Sequence, residues 1–140
     1  MGYAENDTEF MAPGGFKIVH ELNKPLLDNW PNPSVVRIDD RYHCFSDPAG
    51  YPIKKGESHW KSRQLCEATS PDGIRWKRLG FIKPDPGIDA CHVPEAMITT
   101  IEGKRWLYLF YATQIGYRKQ DGNYHYQYDQ IRAMRRQLAR

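Results

Sequence analysis

Two stretches of this chain share one pattern, and the period between them is the strongest constraint on what it can fold into. Pro33 to Asp47 (PSVVRIDDRYHCFSD) and Pro94 to Thr113 (PEAMITTIEGKRWLYLFYAT) each begin with proline and run through an apolar-rich segment. Each then turns, at Asp39-Asp40 or Glu102-Gly103, and returns through an aromatic-rich segment. Such a pair of runs around an acidic or glycine-containing turn reads as a β-hairpin. The leading prolines stand 61 residues apart. A third element repeats too: SRQLCEATS (62–70) matches YDQIRAMRR (128–136), and in the first unit a fourth run, IRWKRLGFI (74–82), follows. Self-similar units at a fixed period bury their apolar faces by stacking on one another. Four short antiparallel strands per unit is the anatomy of a propeller blade. GFKIVHEL (15–22) reads as a lone strand ahead of them.

The expected fold is therefore all-β. Residues 16–22 supply the outer strand of a preceding blade, 33–82 one full blade, and 94–136 an incomplete next one. About two blades cannot close a ring, and their open strand edges are a liability, so the chain is expected to be a piece of a larger propeller. The alternative use of the same strands is a small β-sandwich with one closed core. Composition agrees with either. Four Trp, nine Tyr and five Phe are punctuated by ten Pro and eleven Gly, which is not the texture of a helical bundle.

Charge and cysteine content exclude several classes. The formal net charge is +3, but four arginines lie in 131–140 and the rest of the chain sums to −1. A neutral body carries no electrostatic footprint for a nucleic-acid partner. The longest apolar runs are a few residues, as in Trp106 to Tyr111, so no membrane partner is expected. Cys44, Cys66 and Cys91 are odd in number, widely spaced and without a C-x-x-C, so neither a disulfide framework nor a structural zinc site organises the fold. The opening MGYAENDTEF lacks the basic and apolar regions of a signal peptide, and the compartment stays open.

ATSPDGIRW (68–76) resembles the Ser-x-Asp-Gly-x-x-Trp turn that recurs in five-bladed propeller glycosidases. NWPNPSVVRIDDRYHCFSD (29–47) and HVPEAMITTIEGKRWLYLFYAT (92–113) are similar to the starts of successive blades in that superfamily of inverting arabinanases, xylosidases and related enzymes. The resemblance covers about 16–136. It implies a five-bladed propeller acting on a carbohydrate substrate, with the start of each innermost strand lining a central funnel. It implies a general base, a general acid and an acid-tuning carboxylate from different blades. Inverting cleavage needs two carboxyl groups about 6.5–9.5 Å apart with a water between them. Where such blades often carry a catalytic Asp before Pro, this chain has Asn32. Either the base lies on another blade, or this blade only binds sugar. No organic cofactor is implied; Ca²⁺ sometimes occupies the channel of such propellers, and no all-oxygen cage is assignable here.

Glu95 and His92 are the catalytic candidates the resemblance implies: Glu95 as acid or acid-tuning carboxylate, His92 as acid or as an orienting group for a sugar hydroxyl. Against these stand a solvated Glu on a blade surface and a histidine with a structural role. Trp30, Asn32 and Asp89 belong to the funnel-facing segments, although Asp89 lies in a loop-like PDPGIDA. Asp47 closes the second strand before a long polar loop whose Tyr51 and Trp60 can stack on a sugar or pack between blades. Arg63 shares a strand face with Glu67, whereas Asp129 and Arg132, three apart, lie on opposite faces of an ideal strand; either arginine can grip a substrate group or pair between blades. GYRKQDGNYHYQY (116–128) reads as a polar insertion at the funnel rim or a chain contact. The rival functions are a non-catalytic carbohydrate-binding module and a glycoside phosphorylase, the latter using Arg63 or Arg132 for phosphate.

Overall fold

The two repeats fold as two antiparallel meanders that pack face to face. The computed structural model describes residues 4–6, 16–18, 26–55, 62–82, 90–120 and 123–139, with 4–6, 16–18, 114–120 and 123–129 described through their backbone. In the first sheet β3 (Ser34–Ile38), β4 (Arg41–Ser46), β5 (Cys66–Ser70) and β6 (Lys77–Phe81) lie in chain order. In the second, β7 (Ala90–Ile101), β8 (Lys104–Gln120) and β9 (Asn123–Gln137) do the same. A further strand pair joins β1 (Ala4–Asn6) to β2 (Phe16–Ile18). The chain is all-β among the described residues, and each large sheet has the up-and-down order of a propeller blade.

The repeat is visible in the backbone itself. The residue before each leading proline takes a left-handed conformation, Asn32 at φ 49° and Val93 at φ 47°. At the hairpin tips Asp39 has φ 55°, while Glu102 and Gly103 have φ 51° and 71°. Positive φ at both central residues, as at Glu102-Gly103, gives a two-residue turn whose twist matches its strands, while in the first hairpin only Asp39 takes it. The registers correspond too: Phe45 lies opposite Ser34 and Glu67, and Phe110 opposite Glu95 and Ala133.

Alternation along the strands creates the core. Ile38 and Phe45 from the first sheet meet Ala96, Leu107, Leu109 and Tyr111 from the second, with Val36 and Met134 packed around them. The opposite face of the first sheet buries Cys44, Cys66 and Ala68 under Leu27, Trp30 and Trp76. Polar links staple the sheets at several heights. The Ala96 N–H donates to Ser34 Oγ (2.9 Å), Cys91 N–H to the Arg63 carbonyl (3.2 Å), and Arg105 reaches Asp39 (2.7 Å).

Several boundaries differ from expectation. Phe16–Ile18 is paired with Ala4–Asn6, so this strand is not alone. The third strand of the first sheet starts at Cys66, which leaves Arg63 ahead of it and off the strand face that Glu67 occupies. The second sheet starts at Ala90, before Pro94. A bulge absorbs that proline: His92 pairs with Ala112 and Glu95 with Phe110, so Val93 and Pro94 sit in a ladder that skips one residue. The polar insertion 116–128 extends the second hairpin, as β8 and β9 continue their pairing through Tyr117↔Tyr126 to Gln120↔Asn123.

Candidate functional site

Asp47 follows the last residue of β4, at the end of the sheet where β3 and β7 begin. Its side chain is fully buried, at 0% exposure. Burial of a carboxylate is tolerated when donors surround it, and three residues do so here. Asn32 Nδ2 donates to Oδ1 at 3.1 Å; His92 Nδ1 lies 3.2 Å from Oδ2; Arg63 Nη2 stands 3.7 Å from the same oxygen. These residues come from four segments: the turn before β3, the end of β4, the segment before β5, and β7 of the other sheet.

Local chemistry explains why each arrives. Asn29 (φ 55°) and Asn32 tolerate the left-handed region better than most residues. They bend the chain around Trp30-Pro31, whose Pro31 carbonyl accepts from Ser46 Oγ. That anchor sets Asn32 beside the end of β4. The Val93–Pro94 bulge does the equivalent work in β7. Ahead of the bulge His92 turns to Asp47 of the first sheet, and after it Glu95 pairs with Phe110 and stands exposed on the second sheet's outer face, so the structure does not bring the two together. Val93 bears the cost, since a β-branched residue is strained at φ 47°.

The candidates separate clearly. Asn32, Asp47, Arg63 and His92 converge on one cluster. Trp30 is 4% exposed, belongs to the core over Cys44 and Ala68, and lies under the Arg78 guanidinium at 5.8 Å. Trp30 also lines a pocket of about 480 Å³ together with Asn29, Pro31, Ala49 and Arg63. Glu95 is exposed on β7, and no hydrogen bond or ion pair of the described residues holds it. Tyr51 packs edge-on against Phe81 of the outer strand β6, with ring centroids 5.4 Å apart. Arg132 stands on β9, two strands from β7, with Nη2 3.3 Å from Gln130 Oε1. Trp60 and Asp89 lie outside the described residues.

Sequence reading missed a second polar cluster, between the sheets. Glu67 accepts from Arg136 (3.0 and 3.3 Å) and lies 2.8 Å from His43 Nδ1. Burial pushes the Glu67 carboxyl up, but the bonds from Arg136 and His43 outweigh it and hold the group below the usual carboxylate range. Arg136 and Glu67 are 69 positions apart, and only the stacking of repeats brings them together. Burial, with Cys66 beside it, pushes the Cys44 thiol up to about 12, so it is no nucleophile near neutral pH. Among the described residues no three His, Cys, Asp or Glu side chains come together as metal ligands.

The Asp72 turn is structural. Arg75 and Ile74 donate backbone N–H groups to its carboxylate (2.8 and 3.0 Å), the Arg75 guanidinium adds another bond, and Trp76 Nε1 donates to the Gly73 carbonyl. These donors, Arg75 foremost, hold the carboxyl far below its usual range. Trp76 thereby closes the Cys44–Ala68 face of its own sheet.

No family model and no curated protein matches the chain. Among solved structures the chain is similar to a GH43 beta-1,3-galactosidase solved with galactodeoxynojirimycin, at 13% identity and a TM-score of 0.40 over 72% of this chain. It spans 33% of that galactosidase chain.

Proposed function

We propose that this chain forms two successive blades of a larger propeller that cleaves a glycosidic bond in an oligo- or polysaccharide. The observation that carries this reading is the buried Asp47–His92 contact, which ties the two sheets together beside an open pocket at the start of their inner strands. In the proposed reaction a water attacks the anomeric carbon and loses a proton to a base carboxylate. An acid protonates the departing oxygen at the same time, and the anomeric configuration inverts. Glu95, exposed on the inner strand, is the acid or the carboxylate that tunes it. His92, its Nδ1 turned to Asp47, is the group that orients a sugar hydroxyl or hands over the proton. Asp47 itself takes no part in proton transfer to substrate, since both its oxygens are engaged in the interior. The base then comes from another blade.

The second reading, a carbohydrate-binding module without turnover, is favoured by Asn32. Its amide donates to Asp47 where a catalytic carboxylate would otherwise stand. Reducing-sugar release by the protein carrying all its blades separates the readings. Hydrolysis that falls on the order of 100-fold or more in Glu95→Gln, with sugar binding retained, supports the enzyme. Binding without release supports the module, and release only in the presence of phosphate points to a phosphorylase.

A further inference from the structure

We propose that Val93 is a positioning residue for His92: the strained left-handed backbone at Val93 and the docking of His92 on Asp47 form and break together, as one two-state element. The catalytic use of that element rests on the carbohydrate reading above; the coupling itself does not. Val93 takes φ 47° although two features of the sequence disfavour it. A β-branched side chain crowds the backbone in the left-handed region. The ring of the following Pro94 also drives the residue before it toward extended backbone. The fold gains no core packing in return, since Val93 is 58% exposed and stands outside both hydrophobic cores.

A residue in so costly a conformation persists only when its surroundings over-determine it. Here the ties lie on either side. Ahead of Val93 the Cys91 N–H donates to the Arg63 carbonyl (3.2 Å), and His92 Nδ1 lies 3.2 Å from Asp47 Oδ2. Beyond it the Ala96 N–H donates to Ser34 Oγ (2.9 Å). All three cross to the first repeat, so β7 is pinned on both sides of the bulge. Of these ties, the one to Asp47 is made by a side chain of β7, which can swing away where a backbone N–H cannot. Relaxation of Val93 to extended backbone turns the peptide next to His92 and draws its ring off Asp47. The first repeat supplies the contrast. Asn32 holds the same place before Pro33, takes the same backbone at φ 49°, and donates to the same carboxylate. Asparagine tolerates the left-handed region, so Asp47 is flanked by one relaxed left-handed turn and one loaded one. Strain released at Val93 therefore emerges at His92, which then loses the orientation that the proposed reaction uses.

The test is thermal unfolding of the 140-residue chain as a double-mutant cycle, with a magnetic-resonance readout of His92 beside it. Val93→Asn gives the second repeat the residue that the first already uses. It is expected to raise the melting midpoint by about 3–6 °C. Val93→Ile is equally branched and is expected to leave the midpoint within about 1 °C. In an Asp47→Asn background, where the His92 contact is weakened, the gain from Val93→Asn is expected to fall to less than half. Should Asp47→Asn fail to fold, His92→Gln serves as the second background with the same expectation. The Nδ1–H of His92 is followed in chain labelled with ¹⁵N-histidine and assigned by its loss in His92→Gln. It exchanges with water at each release, and its exchange is expected to slow on the order of tenfold in Val93→Asn. Strain that is merely structural would leave that exchange unmoved and give the same gain in both backgrounds, and either result overturns the proposal. So does the absence of any gain from Val93→Asn. None of these readouts needs a sugar, so a protein that carries all its blades and hydrolyses none sinks the enzymatic reading and leaves the coupling standing.

Discussion

Asp47 is the residue on which the site depends, because it is a charge with no access to water. Its neighbours divide the work of compensating it: Asn32 holds Oδ1, while His92 and Arg63 share Oδ2. Removing the carboxylate takes this acceptor from Asn32, Arg63 and His92 at once, whereas exchanging it for an amide keeps the shape and one acceptor. Asp47→Ala is therefore expected to lower stability by about 3–5 kcal/mol, the cost of breaking a buried pair from one side. Asp47→Asn is expected to cost about 1–3 kcal/mol, since the Asn32 contact survives by rotation of the amide but the charge partner is lost. Urea titration at neutral pH measures both, and equal losses in the two variants would show that the charge alone, rather than the shape of the side chain, sets the cost. Asp47 was readable in the sequence only as a polar residue at a strand end. Its burial depends on His92, 45 positions later, and no local pattern encodes that distance.

The elements were more legible than the site, for a physical reason. Hairpins are specified by nearby residues: proline, an alternating run, a turn pair and a returning run lie within some fifteen positions, and Asp39-Asp40 and Glu102-Gly103 turn as those residues predict. What period-two alternation cannot show is a residue skipped by a bulge. Val93–Pro94 therefore hid the fact that β7 begins at Ala90 and that His92 lies within it. The polarity of 116–128 likewise drew attention from a ladder, although Tyr124, Tyr126 and Tyr128 alternate with polar residues at the period of a strand. Equivalent places in the two sheets also differ in burial, and this can be measured. Phe45 is 2% exposed between the sheets, while its register counterpart Phe110 is 36% exposed on the outer face of the second. Phe45→Ala is expected to cost about 3–5 kcal/mol through the cavity it leaves. Phe110→Ala is expected to cost under about 1 kcal/mol, being half solvated from the start. Thermal or urea unfolding of the two variants decides it, and similar losses would mean that the two faces are not differently covered.

At the scale of the whole molecule, the sheets are covered unequally. The first has its Phe45 face under the second sheet and its Cys44 face under Leu27, Trp30 and Trp76. The second gives one face to the first sheet and leaves the other open. Along that open face run Met97, Tyr108 and Phe110, with Tyr108 and Phe110 stacked at 6.0 Å, and Arg135 lies 4.3 Å over the Trp106 ring. Ile131 on β9 is 84% exposed. Since Phe110 occupies the register place of Phe45, this open face repeats the one that receives the second sheet. Under the proposal of successive blades it is the seat of the next blade, and in this chain by itself it is a contiguous apolar surface. Such surfaces drive association and bind hydrophobic dyes. The 140-residue chain is therefore expected to bind an environment-sensitive dye and to self-associate with rising concentration, as read by light scattering. Phe110→Lys is expected to suppress both while moving the melting midpoint little, because the side chain supports no core. Val35→Lys, at a 45% exposed position on the other sheet, controls for added charge and is expected to leave association intact. A chain that stays monomeric and dye-free at high concentration would break the correspondence between Phe45 and Phe110. The second sheet would then have to be read as a finished edge of the protein.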